Sequence, residues 1–182
     1  MCAMSGASSR SDAALVDAYR SGDQAAAAEL VNRHCGALGR YLYGAGAAVS
    51  DVEDLVQEAF FRAFRAIDTW RGEASFRGWL FRIGSNLRKD QYRKDAGRVH
   101  LPIEDHEVTD SADPLGEAGA SEMEERLRQG LVRLPRLQRE VFLLRAQQGM
   151  DYDEICRTVG TTPGAARVHY HHAVKRLKEL IT

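Results

Sequence analysis

The chain has 182 residues, 44% apolar and 28% charged, and its 25 Lys and Arg nearly balance 26 Asp and Glu. That length suits one medium domain or two small ones. No apolar run approaches the ~18 residues of a membrane span, and the near-zero net charge argues against a uniformly basic DNA-coating protein.

The distribution of charge says more than its total. Residues 1–94 carry 13 basic and 11 acidic residues, net +2; residues 95–120 carry Arg98 against seven acids, net −6; residues 121–182 carry 11 basic and 8 acidic residues, net +3. Cys2, Cys35 and Cys156 are an odd set without CxxC spacing. They predict a reduced, cytoplasmic protein with no disulfide framework, no metal site and no cofactor.

Residues 1–11 read as a small polar tail, without the apolar stretch of a secretory signal. Ser11 before Asp12, and Asp23 before an Ala-rich run, mark the first two helix starts. Ser50 to Glu53 fits a capping box. From there Val52, Leu55, Val56, Ala59, Phe60, Ala63, Phe64 and Ile67 recur at helical spacing as one apolar stripe. Glu53, Asp54, Gln57, Glu58, Phe61, Arg62 and Arg65 form the opposite face. A turn at Trp70 to Glu73 leads to a helix from about Ser75 to Lys94, with Phe76, Trp79, Leu80, Ile83 and Leu87 inward.

Residues 96–120 lack periodicity, hold Pro102 and Pro114, and predict a flexible acidic linker. Another helix starts near Ser121, where Glu122, Glu124 and Glu125 suit a helix N-terminus. Pro135 reads as a first-turn residue and Gly149 as a helix end. Cys156 lies beside Ile155 in a short helix over 151–159 and reads as a small core residue. Gly160, Thr161 and Thr162 form a tight turn into a helix that starts at Thr162 and Pro163 and runs to about Leu180. Two helices joined by a three-residue turn containing glycine form a helix-turn-helix pattern. Ala166, Tyr170, Ala173, Leu177 and Ile181 face inward, and Arg167, Val168, His171, His172 and Lys175 outward, as in a helix that enters a major groove. The fold class is all-α: a four-helix N-terminal domain over 12–95, a linker over 96–120, and a four-helix C-terminal domain over 121–182.

These motifs resemble a known family. Asp51 to Arg65, DVEDLVQEAFFRAFR, is similar to region 2 of the extracytoplasmic-function sigma factors, bacterial transcription-initiation proteins of the sigma-70 family. Trp70 to Asn86, WRGEASFRGWLFRIGSN, continues it, with Asp90 and Arg93 in register. Leu134 to Arg145, LPRLQREVFLLR, resembles the start of region 4, and Asp151 to Ile155 with the helix from Thr162 complete it. The resemblance implies that the protein is no enzyme. It implies core RNA polymerase (beta and beta-prime subunits) and promoter DNA as partners, with an anti-sigma factor that nothing in the sequence identifies. One stretch departs from the family pattern Ser-x-Gly-Thr-Val-Lys-Ser-Arg: here Thr162 to His169 reads TPGAARVH. Arg167 keeps the basic position, but Val168 and His169 replace a hydroxyl and a fixed positive charge, so the DNA sequence read by this helix does not carry over.

Three contact surfaces follow from the resemblance. For polymerase binding they are Asp54, Gln57, Glu58 and Phe61, where an exposed Phe beside carboxylates suits a partner helix with Arg and apolar patches; spacing alone fits a solvated charged face. For the −10 element they are Trp70, Arg71, Gly72, Ser75, Arg77, Asn86, Lys89 and Arg93, with Lys94 beside them. A displaced base needs apolar walls and its strand a cationic groove. Trp79 reads as core, while Trp70 fits either the core or the base pocket. For the −35 element they are Thr162, Ala165, Arg167, Val168, His171 and Lys175. Lys175 and Arg176 fit phosphate ligands or solvated charges. The acidic linker, with Glu104, Asp105, Glu107 and Asp110, fits either a segment that occupies the polymerase's nucleic-acid channel or a plain soluble connection.

Three other readings compete, the third being a pure interaction protein. A stand-alone helix-turn-helix regulator would need only the last 60 residues and leaves the first 94 without a purpose. A metal-dependent enzyme could draw on Asp51, Glu53, Asp54 and Glu58 with His169, His171 and His172, but no HExxH spacing occurs.

Overall fold

The structure, a computed structural model, describes residues 10–98 and 122–181. The expected linker beyond Arg98, with its prolines and acids, lies outside the described residues, as do Cys2 and most of the N-terminal tail.

Eight α-helices make up the described chain: α1 (Asp12–Arg20), α2 (Gln24–Gly44), α3 (Val49–Arg65), α4 (Phe76–Arg98), α5 (Glu122–Val132), α6 (Arg136–Phe142), α7 (Tyr152–Val159) and α8 (Pro163–Ile181). A 3₁₀ turn (Ile67–Thr69) follows α3, and a π-helical segment (Leu143–Gln147) extends α6. Local chemistry accounts for most boundaries. The Ser11 hydroxyl and the Asp23 and Asp151 carboxylates accept from the first free N–H groups of α1, α2 and α7. The Thr162 hydroxyl does the same for α8 from Ala165, at 3.2 Å.

Three local expectations need correction. The helix α3 starts at Val49 with Ala48 as an N-cap that makes no side-chain bond, so Ser50 is not the cap. The preceding turn is buried at Ala45 and Ala47 and closed by an Ala47 N–H bond to Leu42 O, which brings the chain into the helix early. The Ser50 hydroxyl donates instead to Asp51, 3.0 Å away. Pro135 is the N-cap of α6 rather than a residue of its first turn, because its carbonyl accepts the first helical bond from Arg139. Cys156 is only half-buried and donates to Asp153 O, since Ile155 and Val159 take the inward places of α7.

The N-terminal core is built from α1 to α4. Leu15, Leu30, Leu38, Tyr41, Leu42, Phe76, Leu80 and Phe81 are almost wholly hidden from solvent, each contributing roughly 1.5–3 kcal/mol of apolar transfer free energy. The C-terminal core gathers Leu143, Leu144, Met150, Ile155, Ala166 and Ala173. The two are one continuous apolar cluster. The C-terminal helices lie directly on the N-terminal domain, chiefly α7 on α4, with the π segment and α5 against α2. This explains why α4 buries more than the stripe expected from its spacing. Phe81, Ser85 and Arg88 form a second buried row, in which Phe81 packs on Tyr41 of α2 and Ser85 meets Glu140 of α6. Among the described residues no helix is long and apolar enough to cross a membrane.

Candidate polymerase and nucleic-acid interfaces

The outward face of α3 is the first candidate surface. Its inward stripe is buried or half-buried from Val52 to Phe64, which turns Glu53, Asp54, Gln57 and Phe61 to solvent. Phe61 is 56% exposed, and the Arg65 guanidinium sits 5.5 Å from its ring centroid. Glu58 is half-buried and accepts from Arg62 Nε at 2.6 Å. The face thus presents one bare aromatic ring ringed by carboxylates and arginines.

The second surface is the loop between α3 and α4. Trp70 is only 9% exposed: its Nε1 donates to Ala74 O at 3.1 Å and its ring meets Phe76 edge-on at 6.2 Å. The burial favours a packing role for much of the indole. The residue that fixes the loop was not singled out from sequence. Arg20 of α1 donates to both Ile67 O and Trp70 O at 2.6 Å and lies 6.0 Å from the Trp70 ring centroid. Its position in the last turn of α1 gave no signal, because a basic residue there also fits the helix dipole. Arg71 and Gly72 are exposed at the tip, and Trp79 is half-buried.

Ser75 ends the loop. Its hydroxyl accepts from Gly78 N–H at 3.0 Å and donates to the Glu154 carboxylate of α7. Thr158 of α7 adds a buried hydroxyl 3.4 Å from Gly78 O. Between them is an open cleft of about 190 Å³, lined by Trp70, Arg71 and Trp79 from one domain and Glu154, Arg157 and Thr158 from the other. Farther along α4, Asn86 and Arg93 are exposed with Lys89 half-buried between them, on one helix face. Burial pulls the Lys89 ammonium below its ordinary value. Arg93 pairs loosely with Asp90, at 3.6 Å. Arg77 is half-buried near the start of the helix.

Behind this surface lies a charged cluster that sequence reasoning missed. Glu140 of α6 is 1% exposed, bonded to Arg136 at 3.1 Å and 3.4 Å from the Ser85 hydroxyl of α4. Arg88 and Arg139 are buried beside it. Arg139 donates to Val132 O at 2.9 Å and Leu134 O at 3.0 Å, satisfying carbonyls at the end of α5, and reaches Ala45 O of the other domain at 3.4 Å. Burial, then the like charge of Arg88, pull the Arg139 guanidinium down to about 10, and burial lowers Arg88 as well. The Nε atoms of both are without partners among the described residues. The signal available in sequence was the spacing of Phe81, Ser85 and Arg88, which recur as one helical row.

The third surface is α8. Ala166, Ala173 and Leu177 are buried and Tyr170 half-buried, whereas Arg167, His171 and Lys175 follow at intervals of four along an exposed stripe. Val168 beside them is 53% exposed. The side chain of Ile181 lies outside the described residues. Thr162 and Ala165 open the helix at its exposed N-terminal end. Gly160, left-handed at φ 78°, closes α7 and sets the turn between the two helices. The Arg167 guanidinium lies 5.2 Å from the Tyr152 ring centroid.

The sequence-predicted residues therefore divide among three separate places: the outward face of α3, the loop and outer face of α4, and the exposed stripe of α8. Comparison with known proteins gives these places a common frame. Residues 30–98 match the family Sigma-70 region 2, and residues 124–177 match Sigma-70, region 4. The chain is 35% identical over 175 residues to the RNA polymerase sigma factor NccH of Alcaligenes xylosoxydans xylosoxydans, covering 93% of this chain and 94% of that protein. It is 34% identical over 171 residues to the ECF RNA polymerase sigma-E factor of Escherichia coli K12, covering 86% of each. Among solved structures it resembles CnrH in its complex with the cytosolic domain of CnrY, with 28% identity, a TM-score of 0.67, and coverage of 93% of this chain and 96% of that one. With both regions matched in order and relatives aligned over most of their length, the chain belongs to the extracytoplasmic-function sigma factors of the sigma-70 family, which direct RNA polymerase to promoters.

Proposed function

We propose that this sigma factor divides promoter-directed initiation among the three surfaces. The domain of residues 12–95 carries polymerase binding and the −10 element; that of residues 121–182 carries the −35 element. Asp54, Gln57, Glu58 and Phe61 on α3 grip an element of core polymerase. Trp70, Arg71, Gly72, Ser75 and Arg77, with Asn86, Lys89 and Arg93 along α4, hold the opened −10 strand. Thr162, Ala165, Arg167, Val168, His171 and Lys175 meet the −35 duplex.

Phe61 carries this reading. A large aromatic side chain 56% exposed among charges is unneeded for the fold and suits a partner's apolar patch. Asn86 can bond to a base edge, and the neighbouring cations serve phosphates. The exposed Val168 suits apolar contact with a thymine methyl. The chain acts by binding, without catalysing a reaction of its own, and works in the cytoplasm beside the polymerase. CnrH, its structural relative, is found in a complex with the cytosolic domain of CnrY, which supports an anti-sigma protein as a further partner here. The acidic stretch of Glu104, Asp105, Glu107 and Asp110 serves as an anionic occupant of the polymerase's nucleic-acid channel.

In vitro transcription tests the assignment. The purified chain, added to bacterial core polymerase on a genomic promoter library, should produce discrete starts that share two spaced upstream elements. Absence of starts together with absence of any complex with core polymerase would return the chain to the class of duplex-binding regulators.

A further inference from the structure

We propose that Tyr152, on the first helix of the helix-turn-helix, is a positioning residue that aims Arg167 and thereby sets the base preference of α8. The inference rests on the assignment of Arg167 to the promoter duplex made above.

An exposed arginine ordinarily samples many rotamers, and forming a two-pronged contact with a base requires giving up that freedom. Here the freedom is already curtailed. The Arg167 guanidinium carbon lies 5.2 Å from the Tyr152 ring centroid, inside the ~6 Å reach of a cation–π contact. The ring is itself held. Tyr152 is half-buried and meets Tyr170 edge-on at 6.4 Å, and Tyr170 stacks on Phe142 at 6.0 Å with 16° between planes. A row of three aromatics thus runs from α6 through α8 to α7, and Arg167 rests on its end.

A second cation shares that ring. The guanidinium carbon of Arg145 lies 5.1 Å from the Tyr152 centroid, and its Nη1 donates to Met150 O at 2.8 Å. With Arg145 anchored to the backbone, repulsion between like charges narrows the directions left to Arg167. Near the N-terminus of α8, the end that points at the bases in helix-turn-helix docking, a guanidinium held in one direction can meet the O6 and N7 acceptors of guanine with both prongs. Tyr152 then acts on sequence discrimination through Arg167.

The test uses the full chain reconstituted with core polymerase on promoters randomised across the upstream element. Transcript abundance for each promoter is read by sequencing. Arg167→Ala is expected to flatten a guanine preference at one base pair, by roughly five- to 150-fold. Tyr152→Leu, which keeps an apolar side chain but removes the ring, should flatten the same base pair several-fold and leave preferences at other positions intact. Tyr152→Phe should retain the unmodified profile. Tyr152→Leu with the unmodified preference, or with output lowered equally on every sequence, overturns the proposal and leaves Tyr152 a packing residue. A profile unchanged by Arg167→Ala removes the duplex assignment itself, a different failure. A measurement on the unmodified chain guards against an unfolded variant: the Nε–H group of Arg167 should be markedly more ordered by NMR relaxation than that of Arg176, exposed on the same helix. Equal mobility would also overturn it.

Discussion

The hydroxyl of Ser75 at the start of α4 donates to the Glu154 carboxylate of α7 while accepting from Gly78 N–H. One small side chain therefore both begins a helix of the N-terminal domain and ties it to the helix-turn-helix. A hydrogen bond to a charged group contributes roughly 1 kcal/mol at a partly exposed site. Glu154→Ala should loosen the contact between α4 and α7 without unfolding either domain. Spin labels at positions 71 and 157, across the cleft, should report a longer mean distance in the variant. An unchanged distribution would show that the apolar contacts alone hold the domains together.

Glu140 should behave differently, because it is hidden among cations. Its removal leaves Arg88 and Arg139 buried without their shared counter-charge. Removing one partner of a fully buried ion pair costs about 3–5 kcal/mol; the partner bonded to Glu140, Arg136, is 49% exposed, which puts the loss at the low end. Glu140→Ala is accordingly expected to lower the urea unfolding free energy by about 3 kcal/mol at neutral pH. A loss below about 1 kcal/mol would mean that solvent reaches the cluster more freely than its burial indicates.

Gly46 offers a steric probe of the same region. It has φ +97°, and a Cβ placed there would meet Arg139 Nη1 at 2.7 Å and Arg88 Nη2 at 2.8 Å. Gly160 also has a positive φ, +78°, but open space around it. Gly160→Ala should cost about 1–2 kcal/mol of backbone strain. Gly46→Ala should cost more, because it must also displace two guanidinium groups. Thermal denaturation of the two variants gives the comparison, and equal losses would count against a close-packed cluster.

His34 gives the pH dependence. It is buried between α1 and α4, bonded to Asp12 at 2.8 Å and set 5.7 Å from the Phe76 ring. Burial lowers its basicity and outweighs the attraction of Asp12, while the charges of Arg33 and Arg77 lower it further. The folded chain thus binds this proton less readily than the unfolded chain. The contribution of His34 is fully present above the ordinary histidine value near 6.5 and is lost as pH falls below it. Urea midpoints should decline over about pH 7 to 5.5, and His34→Gln should flatten that decline. An equally steep decline in the variant would assign the effect to other groups.

Phe61→Ala separates fold from binding. An exposed side chain contributes little to stability, so unfolding should change by less than about 0.5 kcal/mol. Binding to core polymerase should weaken by about 2 kcal/mol, roughly thirtyfold in Kd. A variant that binds as tightly as the unmodified chain would move the polymerase contact off this face.

Local pattern carried much of this structure. The stripe from Val52 to Ile67 faces inward as its spacing predicts, and the buried Ala166, Ala173 and Leu177 leave Arg167, His171 and Lys175 outward. Failures occurred where distant parts of the chain decide. Arg88, Arg139 and Glu140 are residue types that ordinarily stay in water, and only docking of one domain on the other buries them. The Ser85–Glu140 contact spans 55 residues and the Arg139–Ala45 contact 94, separations to which periodicity is blind. Ser50 failed as a cap for a related reason: the pattern was right for an exposed start, but the turn before it is buried. At the proposed sites, exposure was legible for Phe61 and Val168. For Trp70 the sequence left core and pocket both open: its indole is held by Ala74 and Phe76, while its carbonyl is held by Arg20, 50 residues earlier.

The closed docking of α7 over the Trp70 loop has a consequence in time. The helix α3 packs chiefly against α2 and α4, and its outward face stays bare. The loop, by contrast, shares its cleft with α7. In this arrangement the proposed polymerase grip is available at first encounter, whereas the proposed strand-binding loop exposes its tip at Arg71 and Gly72 but shares the side carrying Trp70 with α7. Were strand binding confined to molecules with the domains apart, the apparent affinity of the free chain for single-stranded promoter DNA would fall by the open fraction. If the proposed assignments hold, this geometry favours polymerase arriving before the promoter strand.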